Sequence, residues 1–179
     1  MDVNSAISLL ENKYDIKLLF SLGLYNKFEK VDREYFDELN LKELELYIYL
    51  KKYLTRKLRT LLGEKYFVCL VLYFEEECDN DLSEDLESIK ECGIQIPSNN
   101  VSFTRYIEEE ELYAYYIFFE DCGDNLQKYI AETLAIDLQN VEPVMPCSVF
   151  YVKSDLTKVV NIYDDRGMDV LSLTHSVSS

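Results

Sequence analysis

Carboxylates are the most abundant side chains of this sequence that could act in acid–base catalysis or bind a metal, because 34 of its 179 residues are Asp or Glu. Two carboxylates can act as general acid and base when their surroundings separate their pKa values. With so many acids, neighbouring pairs arise by chance, and no spacing singles out one of them. The sequence contains no nucleophile elbow, zinc-protease motif or phosphate-binding loop. We therefore predict no catalytic residues and no cofactor.

Oxygen-bearing side chains alternate between Asp79 and Ser83, as they do at the start of a calcium-binding loop. That loop needs Gly at its sixth position and Glu at its twelfth. This sequence has Glu84 and Lys90 there. We predict no metal site, and we expect the segment to lead into a helix capped by Ser83.

A compact group of charges, formed by Asp164, Asp165 and Arg166, precedes Gly167 near the end of the sequence. Asp suits the entry to a tight turn, and Gly adopts a left-handed backbone at little cost. The pattern therefore predicts a hairpin turn. An enzyme of unrecognised type that uses these three charged residues is the alternative to a structural turn.

The distribution of charge along the chain is strongly uneven. The formal net charge is -16. Residues 75–124 carry 16 acids and two bases, a net of -14, so the rest of the chain is close to neutral. Since 48% of the residues are hydrophobic, the acidity does not indicate a disordered chain. We expect a folded domain with one strongly negative surface.

Such a surface repels phosphate groups, so we predict neither a nucleic acid nor a membrane as partner. It attracts cations over a distance, which favours a basic protein partner. Tyr interleaved with acids suits such an interface, because Arg stacks on the ring and pairs with the carboxylate. The residues predicted to bind the partner are Glu75, Glu76, Glu77, Asp79, Asp81, Glu108, Glu109, Glu110, Glu111, Tyr113 and Tyr115.

The five Cys residues are odd in number, widely spaced and never in a C-x-x-C pair. Neither a disulfide framework nor a zinc site is expected from this pattern. No apolar segment is long enough to span a bilayer as a helix. We predict a cytoplasmic protein with Cys side chains in its core.

Apolar residues recur at helical spacing through the first third of the chain. The longest predicted helix covers residues 41–62 and ends at Gly63, and residues 33–39 are expected to add a helical turn. Alternating apolar residues from Leu44 to Leu50 leave a strand open as the alternative for the first half of that helix. Residues 1–63 are thus predicted to be mostly helical.

Strand-like patterns dominate from residue 64 to 175. Short connections between neighbouring strands require antiparallel pairing. We predict one α+β domain over residues 1–179, with a mainly antiparallel sheet of about six strands packed by helices. An acidic hairpin tip is expected at 108–111, and helices are expected after Ser83 and after Asn125. The predicted strands are Tyr66–Phe74, Val101–Ile107, Leu112–Phe119, Ser148–Val152, Lys158–Tyr163 and Met168–Leu173.

The segment Tyr163-Asp-Asp-Arg-Gly-Met-Asp-Val170, with the two hydrophobic strands and Pro143 before it, resembles the bacterial domain of unknown function 3885. The resemblance covers about thirty residues. It implies the arrangement of the C-terminal strands, and it implies no activity.

The leading functional hypothesis is a non-enzymatic immunity or antitoxin protein of a bacterium. Its partner would be a cationic toxin domain, such as a nuclease, which must be basic to hold its substrate. The alternatives are the enzyme described above and a regulatory scaffold protein.

Overall fold

The structure is a computed structural model that describes residues 1–20, 31–36, 42–74, 79–109, 112–122, 125–135, 145–164 and 166–173. Within these ranges the chain forms five helices and seven strands. The helices are α1 (Val3–Glu11), α2 (Ile16–Leu19), α3 (Glu43–Leu62), α4 (Asp79–Glu91) and α5 (Leu126–Ala135). The strands are β1 (Val31–Tyr35), β2 (Lys65–Phe74), β3 (Val101–Glu109), β4 (Leu112–Cys122), β5 (Ser148–Lys153), β6 (Lys158–Asp164) and β7 (Gly167–Ser172).

All seven strands form one sheet in the order β1-β7-β6-β5-β2-β4-β3, and every neighbouring pair is antiparallel. The interior strand β2, between β5 and β4, is apolar and almost wholly buried, as a strand covered on both faces must be. The terminal strands are β1 and β3. The predicted α+β class is confirmed, with seven strands where about six were expected.

Helices cover both faces of the sheet, and alternate residues of β2 point into two separate cores. Val68 and Leu70 belong to a core with α3, α4 and α5, and we call this side of the sheet the α3 face. Cys69 and Val71 belong to a core with α1 and α2 on the opposite side, the α1 face. The sheet is therefore the middle layer of three.

The long helix was predicted correctly, and the alternative of a strand over Leu44–Leu50 is wrong. Leu50, Leu54 and Leu58 recur every four residues and are buried along one side of α3. Gly63 follows the helix with a φ of 83°, a left-handed conformation that Gly adopts without strain. Burial of this apolar stripe against the sheet decides the helix over the strand.

The helical turn predicted at residues 33–39 is wrong where the structure describes it, because Val31–Tyr35 is strand β1. It pairs with β7 from Val31 opposite Leu171 to Tyr35 opposite Gly167. Tertiary pairing overrides the weak local signal of this short charged segment. Residues 37–39 lie outside the described residues. The helix-rich N-terminal third thus also contributes one strand to the sheet.

The predicted cap at Ser83 is also wrong, because α4 begins at Asp79 and includes Ser83 in its second turn. The helix ends at Glu91, and Gly93 follows with a φ of 77°. A Ser followed by two acids is typical of a helix start but is also tolerated inside a helix, so the pattern alone did not fix the boundary.

Three of the four described Cys residues are buried, namely Cys69, Cys92 and Cys147, and Cys122 is exposed. Burial raises the pKa of the Cys92 thiol to about 11 and holds that of Cys69 well above its usual range. These buried thiols stay protonated at neutral pH and behave as small hydrophobic side chains.

Candidate partner-binding interface

The predicted interface residues lie in two stretches of the chain, and the structure describes only part of each. Residues 75–78 and 110–111 are outside the described residues. Asp79 and Asp81 belong to the first turn of α4, and Glu108 and Glu109 end strand β3. Their side chains are not described, so their placement rests on the backbone.

The register of the sheet brings the ends of these two stretches together. Phe74, the last residue of β2, is paired with Tyr113 of β4. Tyr113 is paired on its other side with Ile107 of β3. Phe74 and Ile107 are thus two strand spacings apart, about 10 Å. Each is followed directly by an acidic run, residues 75–77 and 108–111.

We call this end of the sheet the acidic end. Thirty residues of sequence separate its two acidic runs, yet the strands that lead into them, β2 and β3, both pair with β4. Pairing of both strands with β4 thus brings the starts of both predicted acidic runs to the same end of the sheet.

Tyr113 and Tyr115 lie on the α3 face of β4 near the acidic end, and both are half-buried. The Arg105 guanidinium lies over the Tyr113 ring, 5.2 Å from its centroid. The Tyr115 ring packs edge-on against Phe74, with centroids 5.4 Å apart. Helices cover both faces of the sheet, so neither Tyr projects from a bare face. Tyr115 is tied to the core, and Tyr113 is nearer the hairpin tip.

Sequence reasoning missed two exposed aromatic residues near this site, Tyr73 of β2 and the more exposed Phe103 of β3. The Phe103 side chain is 54% exposed, although it lies on the α3 face opposite the buried Ile117. The alternation of Val101, Phe103, Arg105 and Ile107 was visible in the sequence. What the sequence did not show is that β3 ends the sheet, which leaves Phe103 uncovered.

The alternative site at residues 164–166 has a structural explanation in its described part. A Cβ added at Gly167 would lie 2.7 Å from the Glu34 carbonyl oxygen and 2.7 Å from the Tyr163 hydroxyl. Only Gly fits where β1 and Tyr163 approach so closely. Arg166 is exposed, and its carbonyl accepts a hydrogen bond from the Phe36 amide at 2.8 Å. The Asp164 side chain and Asp165 lie outside the described residues.

The same C-terminal segment supplies a buried ion pair to strand β1. Arg33 donates two parallel hydrogen bonds to Asp169, Nε to Oδ1 at 2.8 Å and Nη2 to Oδ2 at 2.9 Å. The Asp169 side chain is 3% exposed and that of Arg33 is 33% exposed. These hydrogen bonds raise the pKa of Arg33 above its already high value. Asp169 is therefore fully engaged as a structural carboxylate.

A second contact ties β1 to helix α3 on the other face. Glu34 accepts hydrogen bonds from the Tyr53 hydroxyl and from Lys57. Burial of the Lys57 ammonium group by itself lowers its pKa. The hydrogen bonds to Glu34 and Tyr53 outweigh this effect, so the pKa of Lys57 is raised. The edge formed by β1 is thus held by charged contacts on both faces.

A groove of about 530 Å³ lies between the loop after α4 and the start of α5. Asp121 lines it, but both its carboxylate oxygens are occupied. Oδ1 accepts from the Asn125 side chain at 2.9 Å and from the Cys122 amide at 2.6 Å, and Oδ2 accepts from the Tyr129 hydroxyl. Burial raises the pKa of Tyr129. This carboxylate thus ties the end of β4 to the start of α5.

The comparison with protein families gives one finding. A family described as a domain of unknown function, DUF3885, matches residues 32–177. The chain belongs to the DUF3885 family. The DUF3885 match begins in β1 and extends past β7, so it includes nearly the whole sheet, whereas α1 and α2 precede it. All predicted partner-binding residues lie within it.

Neither the curated proteins nor the solved structures contain a match to this DUF3885 chain. Among the helices that the structure describes, none combines the length and the apolar character needed to cross a membrane.

Proposed function

We propose that this DUF3885 protein is a non-enzymatic binding protein that neutralises a basic toxin domain, as bacterial immunity and antitoxin proteins do. The observation that carries the proposal is the acidic end. Two acidic runs, 75–77 and 108–111, follow Phe74 of β2 and Ile107 of β3, which both pair with Tyr113 of β4, and the stretch between residues 75 and 124 has a net charge of -14.

Electrostatics explains why such an arrangement suits an inhibitor. A nucleic-acid-cleaving toxin needs a positive groove for its substrate, and a negative protein surface competes for that groove. Long-range attraction also accelerates association, which matters when a toxin must be captured before it acts. The carboxylates of the acidic end would supply the attraction, and Tyr113 with its neighbours would supply contact area.

The proposal places the protein in the bacterial cytoplasm. Reduced, buried thiols such as those of Cys69 and Cys147 suit that compartment. No cofactor takes part, because binding alone blocks the toxin.

Growth rescue tests the proposal directly. The open reading frame adjacent to this gene should encode a protein with a basic domain that stops growth when expressed alone. Coexpression of the full-length chain should restore growth. A chain in which Glu108, Glu109, Glu110 and Glu111 are replaced by Lys should fail to restore it, although it accumulates to the same level. An adjacent gene without toxicity, or equal rescue by the charge-reversed chain, would overturn the proposal.

A further inference from the structure

Strand β3 is an open edge of the sheet. Its nine residues pair with β4 on one side, and no other described strand pairs with it. The outward N–H and C=O groups of such a strand form a template for another extended chain. Soluble proteins usually block this template with short strands, charges, Lys or Pro.

The sequence of β3 contains none of the usual blocking residues in its first seven positions except one charge. Residues 101–107 include neither Lys nor Pro, and β-branched and aromatic side chains dominate. The one charge is Arg105, whose guanidinium is drawn over the Tyr113 ring. Phe103 is more than half exposed. Residues 101–107 are therefore suited to pairing with another chain, and the blocking features of β3, a β-bulge between Ile107 and Glu109 and two acidic residues, are confined to its end.

The opposite edge shows that this fold can block an edge strand. Strand β1 has five residues, of which Asp32, Arg33 and Glu34 are charged. Arg33 is bound by Asp169, and Glu34 is bound by Lys57 and Tyr53. The lack of blocking residues between positions 101 and 107 is therefore a property of the β3 edge and not of both edges of this sheet.

The charges near β3 indicate what kind of polypeptide segment could pair with this edge. Strand β3 ends with Glu108 and Glu109, and Phe103 provides an apolar contact in its first half. A segment that carries Lys or Arg at one end and an apolar residue near its centre is complementary to both. A second copy of this chain is not, because each copy carries a net charge of -16.

We infer that an extended, basic segment of the partner adds to the sheet as an eighth strand alongside β3. Its backbone pairs with the outward groups of residues 101–107, its apolar side chain covers Phe103, and its cationic side chains lie beside the acidic end of β3 at Glu108 and Glu109. This inference rests on the proposed function and specifies how the partner is held.

Amide hydrogen exchange measured residue by residue tests this binding mode. The probe is the purified basic domain encoded beside this gene, in a complex with the full-length chain. In the free chain, alternate amides between residues 101 and 107 should exchange fast, because they point outward. In the complex, the same amides should exchange at least tenfold more slowly, while the amides of β1 stay unchanged.

Two matched variants complete the test. Phe103→Ala should weaken binding of the basic domain about tenfold, and Tyr35→Ala, which truncates a 59% exposed aromatic residue on the opposite edge, should leave it unchanged. A complex that forms without protection at β3 overturns this inference and leaves the proposed function intact. Absence of any complex overturns both, and protection in the free chain that grows with its own concentration assigns the edge to a second copy.

Discussion

The two edges of this sheet are built in opposite ways. At one edge, β1 is short, charged and held on both faces, by Asp169 through Arg33 and by α3 through Glu34. At the other edge, β3 is long, has one charge before the acidic run, and exposes Phe103. Ionic contacts hold the first edge on both faces, whereas no described strand pairs with the outer side of the second.

The two edges are also expected to differ in what their residues contribute, stability at β1 and binding at β3. The residues that close the β1 edge include the C-terminal segment in which the sequence pattern left an enzymatic site as an alternative. In the structure, Asp169 and Gly167 of that segment fix β1 in place. Substitutions at the β1 edge should therefore change the free energy of unfolding, and substitutions at the β3 edge should change binding.

The largest effect on stability is expected from Arg33→Met, which leaves the Asp169 carboxylate buried without its ionic partner. We expect the free energy of unfolding to fall by about 2 to 3 kcal/mol, less than for a fully buried pair because Arg33 is one-third exposed. Urea unfolding measures it. The double variant Arg33→Met/Asp169→Leu should recover most of the loss, and a cost under about 0.5 kcal/mol for the single variant would show that the ion pair does not close this edge.

A smaller loss is expected from Gly167→Ala. The added methyl group would meet the Glu34 carbonyl oxygen at 2.7 Å, and this backbone atom cannot move without shifting β1. Overpacking of this kind costs about 1 to 2 kcal/mol. Ser172→Ala, on the same strand, is the control and should unfold at nearly the wild-type urea concentration. Equal midpoints for the two variants would contradict the close approach of β1 to β7 at this position.

The contact between Lys57 and Glu34 should make the β1 edge sensitive to alkaline pH. The pKa of Lys57 is raised in the folded protein, so its contribution to stability is complete below about pH 10 and is lost as the pH rises through the raised value. The wild type should therefore lose about 0.5 kcal/mol more than Lys57→Met between pH 9 and pH 11.5, measured by urea unfolding. Identical losses in the two proteins would mean that the ion pair has no part in holding β1.

The smallest effect on stability is expected at the open edge. Phe103→Ala should lower the free energy of unfolding by about 0.5 kcal/mol or less, because more than half of the side chain is already in water. Thermal and urea unfolding of the free chain measure it. A loss above about 2 kcal/mol would show that Phe103 is covered in the free protein, and the comparison between an open and a closed edge would then fail.

Sequence reasoning recovered the elements whose burial leaves a regular pattern. The apolar stripe of α3 and the continuous apolar run of β2 were both predicted close to their observed bounds. It missed β1, because Val-Asp-Arg-Glu-Tyr has three charged residues and becomes a strand only through pairing with β7. It also misplaced the start of α4, where Ser83 lies inside the helix.

For the candidate site, the sequence indicated which residues are acidic but not that both runs start at the same end of the sheet. That arrangement follows from the pairing of β2 with β4, a contact between distant parts of the chain that no local pattern encodes. The exposure of Phe103 likewise depends on strand order. Register and strand order, which are properties of the whole sheet, are what the sequence left open.

The most direct test of the acidic end is the rate at which the chain associates with the basic domain encoded beside its gene, measured by stopped-flow at several salt concentrations. Replacement of Glu108, Glu109, Glu110 and Glu111 by Gln should slow association about tenfold at low salt and flatten its salt dependence. The control carries the same change in charge at four exposed acids elsewhere, Glu11, Glu43, Glu45 and Glu64, and should stay close to the wild-type rate. Equal rates for the two variants across the salt range would contradict the account.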